Sequence, residues 1–300
     1  MDITRTKGRR NLSRRDGLTA LWFVAPAMLP MLVFWIYPIF RSLTISLTDW
    51  DYISPSYSFV GLENYLNFIG DRAFNRALIN TLLFAVYTVI PTIAIGLGLA
   101  LLFRCKLRGK AVYRALLFSP WVTPTVAVSI VWIWLYDESG TLNYLLSLIG
   151  ISPLKWLRSR DTALMSVSIV TVWKSIGYAM IFYMAALDKV PRELYEAASI
   201  DRAGSWRKFV HITLPGISPT TFFLMVMMTI TSLQAYDQIQ ILTQGGPAGS
   251  TRTLLYLYYQ YAFENYNMGE ATAVAGILML LTIGLSVAQF VGSKKWVSYQ

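Results

Sequence analysis

Apolar residues dominate six stretches, at about 18 to 40, 81 to 103, 115 to 136, 162 to 187, 217 to 242 and 271 to 291, and polar residues gather between them. A bilayer core about 30 Å thick takes roughly 20 consecutive apolar residues as helix, so each stretch predicts one membrane-spanning helix. Helices satisfy their own backbone hydrogen bonds, which lipid cannot do for them. The predicted fold class is therefore all-α, with six spans over 18–291, a basic N-terminal segment at 1–17 and a short tail at 292–300. Trp35, Tyr37, Trp50, Trp121, Trp132, Trp134, Tyr136 and Trp296 lie mostly near predicted span ends. Amphipathic rings anchor helices at the membrane interface.

Composition narrows the function. Apolar residues make up 55% of the 300 and charged residues 14%, with a mean hydropathy of +0.47. A soluble domain carries about a quarter charged residues, so a soluble enzyme and a disordered chain are both excluded. The net charge of +10 could suggest a nucleic-acid partner, but its placement follows the spans instead. One side of the six-span arrangement carries only Arg41, Arg72, Arg76, Lys155, Arg158, Arg160 and Arg252; every other Lys and Arg except Lys174 falls on the opposite side. Basic short loops stay cytoplasmic, which sets both termini of this multi-pass protein in the cytoplasm. The arginines around Ser13 resemble a secretory or twin-arginine signal. The apolar run that follows is too long for a signal core, contains Pro26, Pro30 and Pro38, and lacks a small-residue cleavage site, so it reads as a retained first span. With one cysteine, Cys105, and one histidine, His211, the chain can form neither an internal disulfide nor a cysteine or histidine metal site.

The segment 188–215 between spans four and five is too polar to cross a membrane and too patterned to be a linker. Pro191 can open a helix. Leu194, Ala197, Ala198 and Asp201 recur at spacings of three and four, Gly204 can end the helix in a left-handed cap, and Ser205 can cap a second short helix. Helix, turn and helix would lie at the membrane surface, with Ala197 and Ala198 beside Glu196 forming a low ridge that fits a groove on another protein. An interfacial linker is the plainer alternative.

Glu196, Ala197, Ala198, Asp201, Ala203, Phe209, Ile212, Leu214 and Pro215 resemble the EAA loop of ABC importer permeases, in the carbohydrate-uptake branch of maltose and glycerol-3-phosphate permeases. The resemblance continues in order through Pro38, Ser42 and Ser46, Phe59 to Tyr65, Asn80 and Thr81, Pro120 and Pro124, and Leu242 to Pro247. One position departs: the family usually has glycine where this chain has Arg202, and the nearest glycine is Gly204. Either the turn shifts by about two residues, or Arg202 takes the turn geometry or contacts the partner. The resemblance implies that 188–215 is a coupling loop docking on an ATP-binding cassette subunit, with Glu196 its main charged contact. It implies as partners a second permease, two such ATPase subunits and an extracytoplasmic solute-binding protein, with a sugar as cargo. ATP and magnesium would belong to the ATPase subunits, because no Gly-x-x-x-x-Gly-Lys-Ser/Thr occurs here. The glycine-rich run 245–251 lacks the lysine and reads as a turn.

Polar side chains at mid-membrane depth usually face a cavity or a partner. Thr171, Lys174, Ser175 and Tyr178 occupy one face of span four at i, i+3, i+4 and i+7. Span five adds Ser232, Gln234, Asp237 and Gln238, and span three adds Trp121 and Thr125. Hydroxyls and amides suit sugar hydroxyls, and aromatic faces suit sugar rings. In maltose-type permeases the matching stretches line the sugar site. Ser and Thr in membrane helices also bond back to their own carbonyls or join helices, so lining and packing remain open for each hydroxyl. Lys174 is either a counter-ion for an acidic or phosphorylated substrate or a structural partner of Asp237 or the second permease. Two other classes fit the sequence less well: a stand-alone secondary transporter or channel, which lacks support in any internal repeat, and a membrane enzyme using Asp49, Asp51, Asp137 or Glu138, none of which sits in a catalytic motif. No catalytic or metal-binding residue is assigned.

Overall fold

The computed structural model describes residues 14–105 and 108–298. Arg5, Lys7, Arg9, Arg10 and Lys106, counted above in the charge asymmetry, and most of the basic segment 1–17 lie outside the described residues. Among those described there is no β-strand, only an isolated antiparallel bridge between Thr48 and Phe59.

The helices in chain order are α1 (Arg14–Met31), α2 (Tyr37–Ile45), α3 (Glu63–Asn67), α4 (Arg72–Leu102), α5 (Lys110–Val122), α6 (Thr125–Leu135), α7 (Thr141–Leu148), α8 (Ala163–Lys189), α9 (Arg192–Ile200), α10 (Ser205–Lys208), α11 (Leu214–Leu233), α12 (Asp237–Leu242), α13 (Leu254–Tyr259) and α14 (Met268–Ser293). Wider π-helical turns at Leu32–Ile36 and Phe209–Thr213 join α1 to α2 and α10 to α11. Each lies just ahead of a proline, Pro38 or Pro215, whose missing N–H and bulky ring interrupt the regular ladder.

Five helical segments are long and apolar enough to cross a membrane, Leu21–Ile45, Arg72–Leu102, Ala163–Lys189, Ser205–Leu233 and Met268–Ser293. The predicted third span differs: α5 and α6 meet at 101°. Thr123 is extended there, with φ −75° and ψ 135°. Pro124 explains the break, since its ring disfavours helical geometry in the residue before it and it has no N–H to give. The fifth span also departs from the 217–242 prediction. Its helix starts at Ser205, so the second half of the 188–215 segment is continuous with it, and ends at Leu233 before a break that leads into α12.

α4 is the spine. Its Asp71 cap accepts from the backbone N–H groups of Ala73 and Phe74, both at 3.0 Å. Its length supplies Phe74 and Ala77, then Phe84, then Ala100 to three successive apolar clusters. Phe84 packs with Val167, and Ala100 with Tyr183, so α4 and α8 run parallel. Without a hydrophobic drive between helices in lipid, small residues permit this closeness. A Cβ on Gly96 would lie 2.6 Å from that of Ala179, and one on Gly177 would collide with the Leu117 carbonyl of α5. The first span contrasts with this packing: none of it is buried, and Trp22 and Phe23 are 79% and 83% exposed.

Replacing Gly177 with leucine should force α5 from α8 and destabilise the chain by about 1–3 kcal/mol, read as a lower melting midpoint in detergent. Gly98→Leu, at an exposed position where an added Cβ meets nothing within 4 Å, should change it by no more than about 0.5 kcal/mol.

Candidate functional site

The two helix breaks meet. A cavity of about 480 Å³ is lined by Thr125 at the start of α6, Thr231 on the last turn of α11, Gln234 to Tyr236 in the break, Asp237 and Gln238 on α12, and Leu255, Tyr258 and Tyr259 on α13. Irregular backbone at membrane depth is tolerated where it lines a cavity, and this size suits a small ligand. The lining offers two carboxamides, a carboxylate, hydroxyls and three tyrosine rings. Tyr236 and Tyr259 stand 5.0 Å apart between ring centres, and Tyr236 and Tyr256 stack at 6.1 Å.

The sequence candidates divide. Thr125 and Asp237 line the cavity. Lys174 joins it from α8 by donating from Nζ to Thr125 Oγ1 at 2.9 Å, and it forms no ion pair with Asp237 among the described residues. Tyr178 and Trp121 stack on each other at 4.3 Å and 29°, and Phe182 and Phe223 extend the aromatic row. Ser175 is buried. Thr171 donates back to the Val167 carbonyl. Ser232, buried at 6% exposure, shares a 2.7 Å hydrogen bond with Thr88 of α4. The Thr171 and Ser232 hydroxyls close backbone and helix-to-helix bonds, and neither residue is in the cavity lining. The sequence reading missed Thr231, Tyr236, Leu255, Tyr258 and Tyr259. The tyrosine-rich run from Tyr256 to Tyr261 was the available signal.

The 188–215 segment forms the other end of the molecule. Pro191 is the N-cap of α9, extended at ψ 133°, and Glu196 and Ala197 are exposed while Ala198 is half-buried. Asp201 is the C-cap, and Arg202, not Gly204, takes the left-handed conformation at φ +53°. The Ala203 N–H reaches the Ala198 carbonyl at 2.9 Å and the Arg202 N–H reaches that of Ser199 at 3.1 Å. This closing pattern requires its left-handed residue immediately after the cap, which is position 202. Gly204, at φ −67° and ψ 164°, is instead the extended N-cap of α10, and Ser205 is the first helical residue. The sequence expectation of a left-handed Gly204 and a capping Ser205 is thus corrected.

Internal bonds hold this surface in shape. Tyr195 Oη lies 2.9 Å from Thr213 Oγ1, Arg104 donates to Tyr195 Oη at 3.3 Å, and Lys208 donates to Ser199 Oγ at 2.6 Å. Ile200 and Trp206 are 83% and 76% exposed beside these charged residues. Among the described residues the His211 ring bonds only the Arg207 carbonyl one turn back, and Cys105 is exposed.

Residues 92–292 match the model of the binding-protein-dependent transport system inner membrane component. The chain belongs to this family. A probable ABC transporter permease protein of Bacillus subtilis is 36% identical over 272 residues, covering 89% of this chain and 93% of its own. The trehalose/maltose transport system permease of Thermococcus litoralis is 32% identical, covering 93% and 96%. The sn-glycerol-3-phosphate transport system permease of Yersinia pestis is 33% identical, covering 95% and 99%. In fold, the chain is similar to one in the crystal structure of a bacterial ABC transporter that imports the acidic polysaccharide alginate, with a TM-score of 0.80 at 21% identity over 95% of this chain and 98% of that one. It is a permease component of the inner membrane.

Two outcomes test the site. Arg202→Gly removes a left-handed cost of about 1–2 kcal/mol and should raise the melting midpoint and slow proteolysis at 200–205, whereas Arg202→Val should do the reverse. Tyr258→Ala and Gln238→Ala should each weaken transport of the cargo by about tenfold in KM, with assembly into the transporter unchanged by pull-down.

Proposed function

We propose that this chain is one of two permease subunits of an ATP-driven importer for a sugar or oligosaccharide. The observation that carries the reading is the cavity at the two helix breaks, whose tyrosines, carboxamides and carboxylate are the groups that stack on and hydrogen-bond a polyhydroxylated ring. The names of the trehalose/maltose and alginate systems support a carbohydrate cargo. A fold neighbour solved in complex with an alginate-bound periplasmic protein supports delivery by a solute-binding protein.

In this reading both termini and the 188–215 loop lie in the cytoplasm, which the distribution of Lys and Arg supports. The exposed ridge of Glu196 and Ala197, with Ile200 and Trp206, docks into an ATP-binding cassette subunit. Two such subunits hold ATP and magnesium and supply the energy; this chain supplies the path. Nucleotide-driven closure moves the loop, and the connected helices alternate the cavity between its two openings.

The test is purification of the tagged chain from its host in mild detergent with its companions, then ATPase assays with neutral oligosaccharide, glycerol phosphate and a uronate oligomer in turn. Recovery of a second permease and an ATPase whose hydrolysis rises with a carbohydrate supports the proposal; a chain that purifies alone and transports in liposomes sinks it. Glu196→Lys should abolish coupled uptake, seen as uptake loss above about 90% from removal of a charge-assisted contact, with the chain itself still folded.

A further inference from the structure

At the end of the bundle away from α9, a groove of about 340 Å³ opens between the first turns of α4 and the start of α8, under the 243–253 loop. One end of it is polar, with Arg76, Arg160, Asp161 and Ser250, and the other is apolar, with Leu83 and Met165.

The polar end holds hydrogen-bonding capacity that the chain does not use. Ser250 Oγ is fully buried with no partner. Arg160 makes no hydrogen bond or ion pair among the described residues, while Arg76 commits only Nη1, to the Ala248 carbonyl at 2.8 Å. A third guanidinium, that of Arg252, lies against Gly249, which also abuts the Arg76 side chain, and its Nε is buried and unpaired. Buried polar groups in folded proteins almost always have partners, and guanidinium groups with a hydroxyl form a set suited to a tetrahedral oxyanion. The apolar end continues outward, because Leu83 and Met165 are 38% and 44% exposed and Ile90 and Ile169, one or two turns further along the same spans, are 62% and 39% exposed. An anion-binding head above an apolar track along membrane-spanning segments has the shape and polarity of a lipid. A soluble protein would reach the arginines but not the track.

We propose that this groove binds one membrane phospholipid, with its phosphate among Arg76, Arg160 and Ser250 and an acyl chain along Leu83 and Met165. Asp161, in the same lining, faces the cationic end of a zwitterionic headgroup such as phosphoethanolamine. The bound lipid then ties the 243–253 loop, already anchored to α4, to α8 as well. This site is separate from the cargo cavity and does not depend on the identity of the cargo.

Native mass spectrometry of the full chain with its companions, titrated with dioleoyl phosphatidylethanolamine in mild detergent, measures the first retained lipid. Arg160→Gln should weaken its retention by about tenfold, the worth of one charge-assisted hydrogen bond, and Arg158→Gln, whose side chain pairs with Glu138 on the surface, should leave it unchanged. Ser250→Ala gives a second variant should Arg160→Gln not assemble, with the same direction expected. Inorganic phosphate alone should compete only weakly, and dioleoylglycerol, which lacks the phosphate, should not replace the lipid. Equal retention in the variants and the parent overturns the proposal. So does full displacement by inorganic phosphate, which would mark a small-anion site, or a loss confined to solute-binding-protein docking, which would make the groove a protein contact.

Discussion

Where the chain leaves a helix inside or beside the bilayer, its freed peptide groups must find partners, because lipid offers none and an unpaired buried group is costly. Three buried asparagines meet that constraint, and the end of the molecule opposite α9 is organised around them. Asn64 donates to the Ser46 and Thr48 carbonyls after the first span. Asn80 donates to those of Gly249 and Arg252, both at 2.9 Å. Asn143 donates to the Leu154 carbonyl and accepts from the Leu154 N–H and the indole of Trp156, each at 3.0 Å. A carboxamide both donates and accepts, so one side chain can close a loop that would otherwise need several. Of the three, Asn80 holds the loop that leads into α13, whose Leu255, Tyr258 and Tyr259 line the cavity.

The same knots explain why separate stretches of the sequence resemble one family in order. Asn80 and Thr81, at the start of α4, hold the loop that follows Leu242, since Thr81 Oγ1 also accepts from the Leu254 N–H. Asn64 and Tyr65 clasp Ser46, whose hydroxyl is 2.8 Å from Tyr65 Oη. Residues far apart in the chain are thus halves of single contacts.

The spans were legible because lipid imposes a length and a composition that few substitutions can disguise, and the break at Pro124 has its cause written beside it. The break after Leu233 has no such mark. Gln234, Ala235 and Tyr236 are ordinary helix residues, and the partner of the freed Ala235 carbonyl is Thr253, far along the chain. The same distance hid the roles of Ser232, whose partner Thr88 lies 144 positions away, and of Lys174, whose partner is Thr125. A periodic stripe tells which side chains share a face, not what stands opposite. At Arg202 the departure was visible, but which residue took the left-handed turn depended on where the helix ended.

Ser205–Leu233 is a single 29-residue helical run from the 188–215 segment to the edge of the cavity. At about 1.5 Å per residue it is a strut roughly 40 Å long, and stiff helices transmit displacement with little loss. Its ladder is interrupted at the wide turn of Phe209–Thr213, near the Ser205 end, and again at Pro219 inside α11. A displacement applied at Ser205 would therefore reach Thr231 and Gln234 as translation or tilt of the rod, softened first in the turns nearest Ser205.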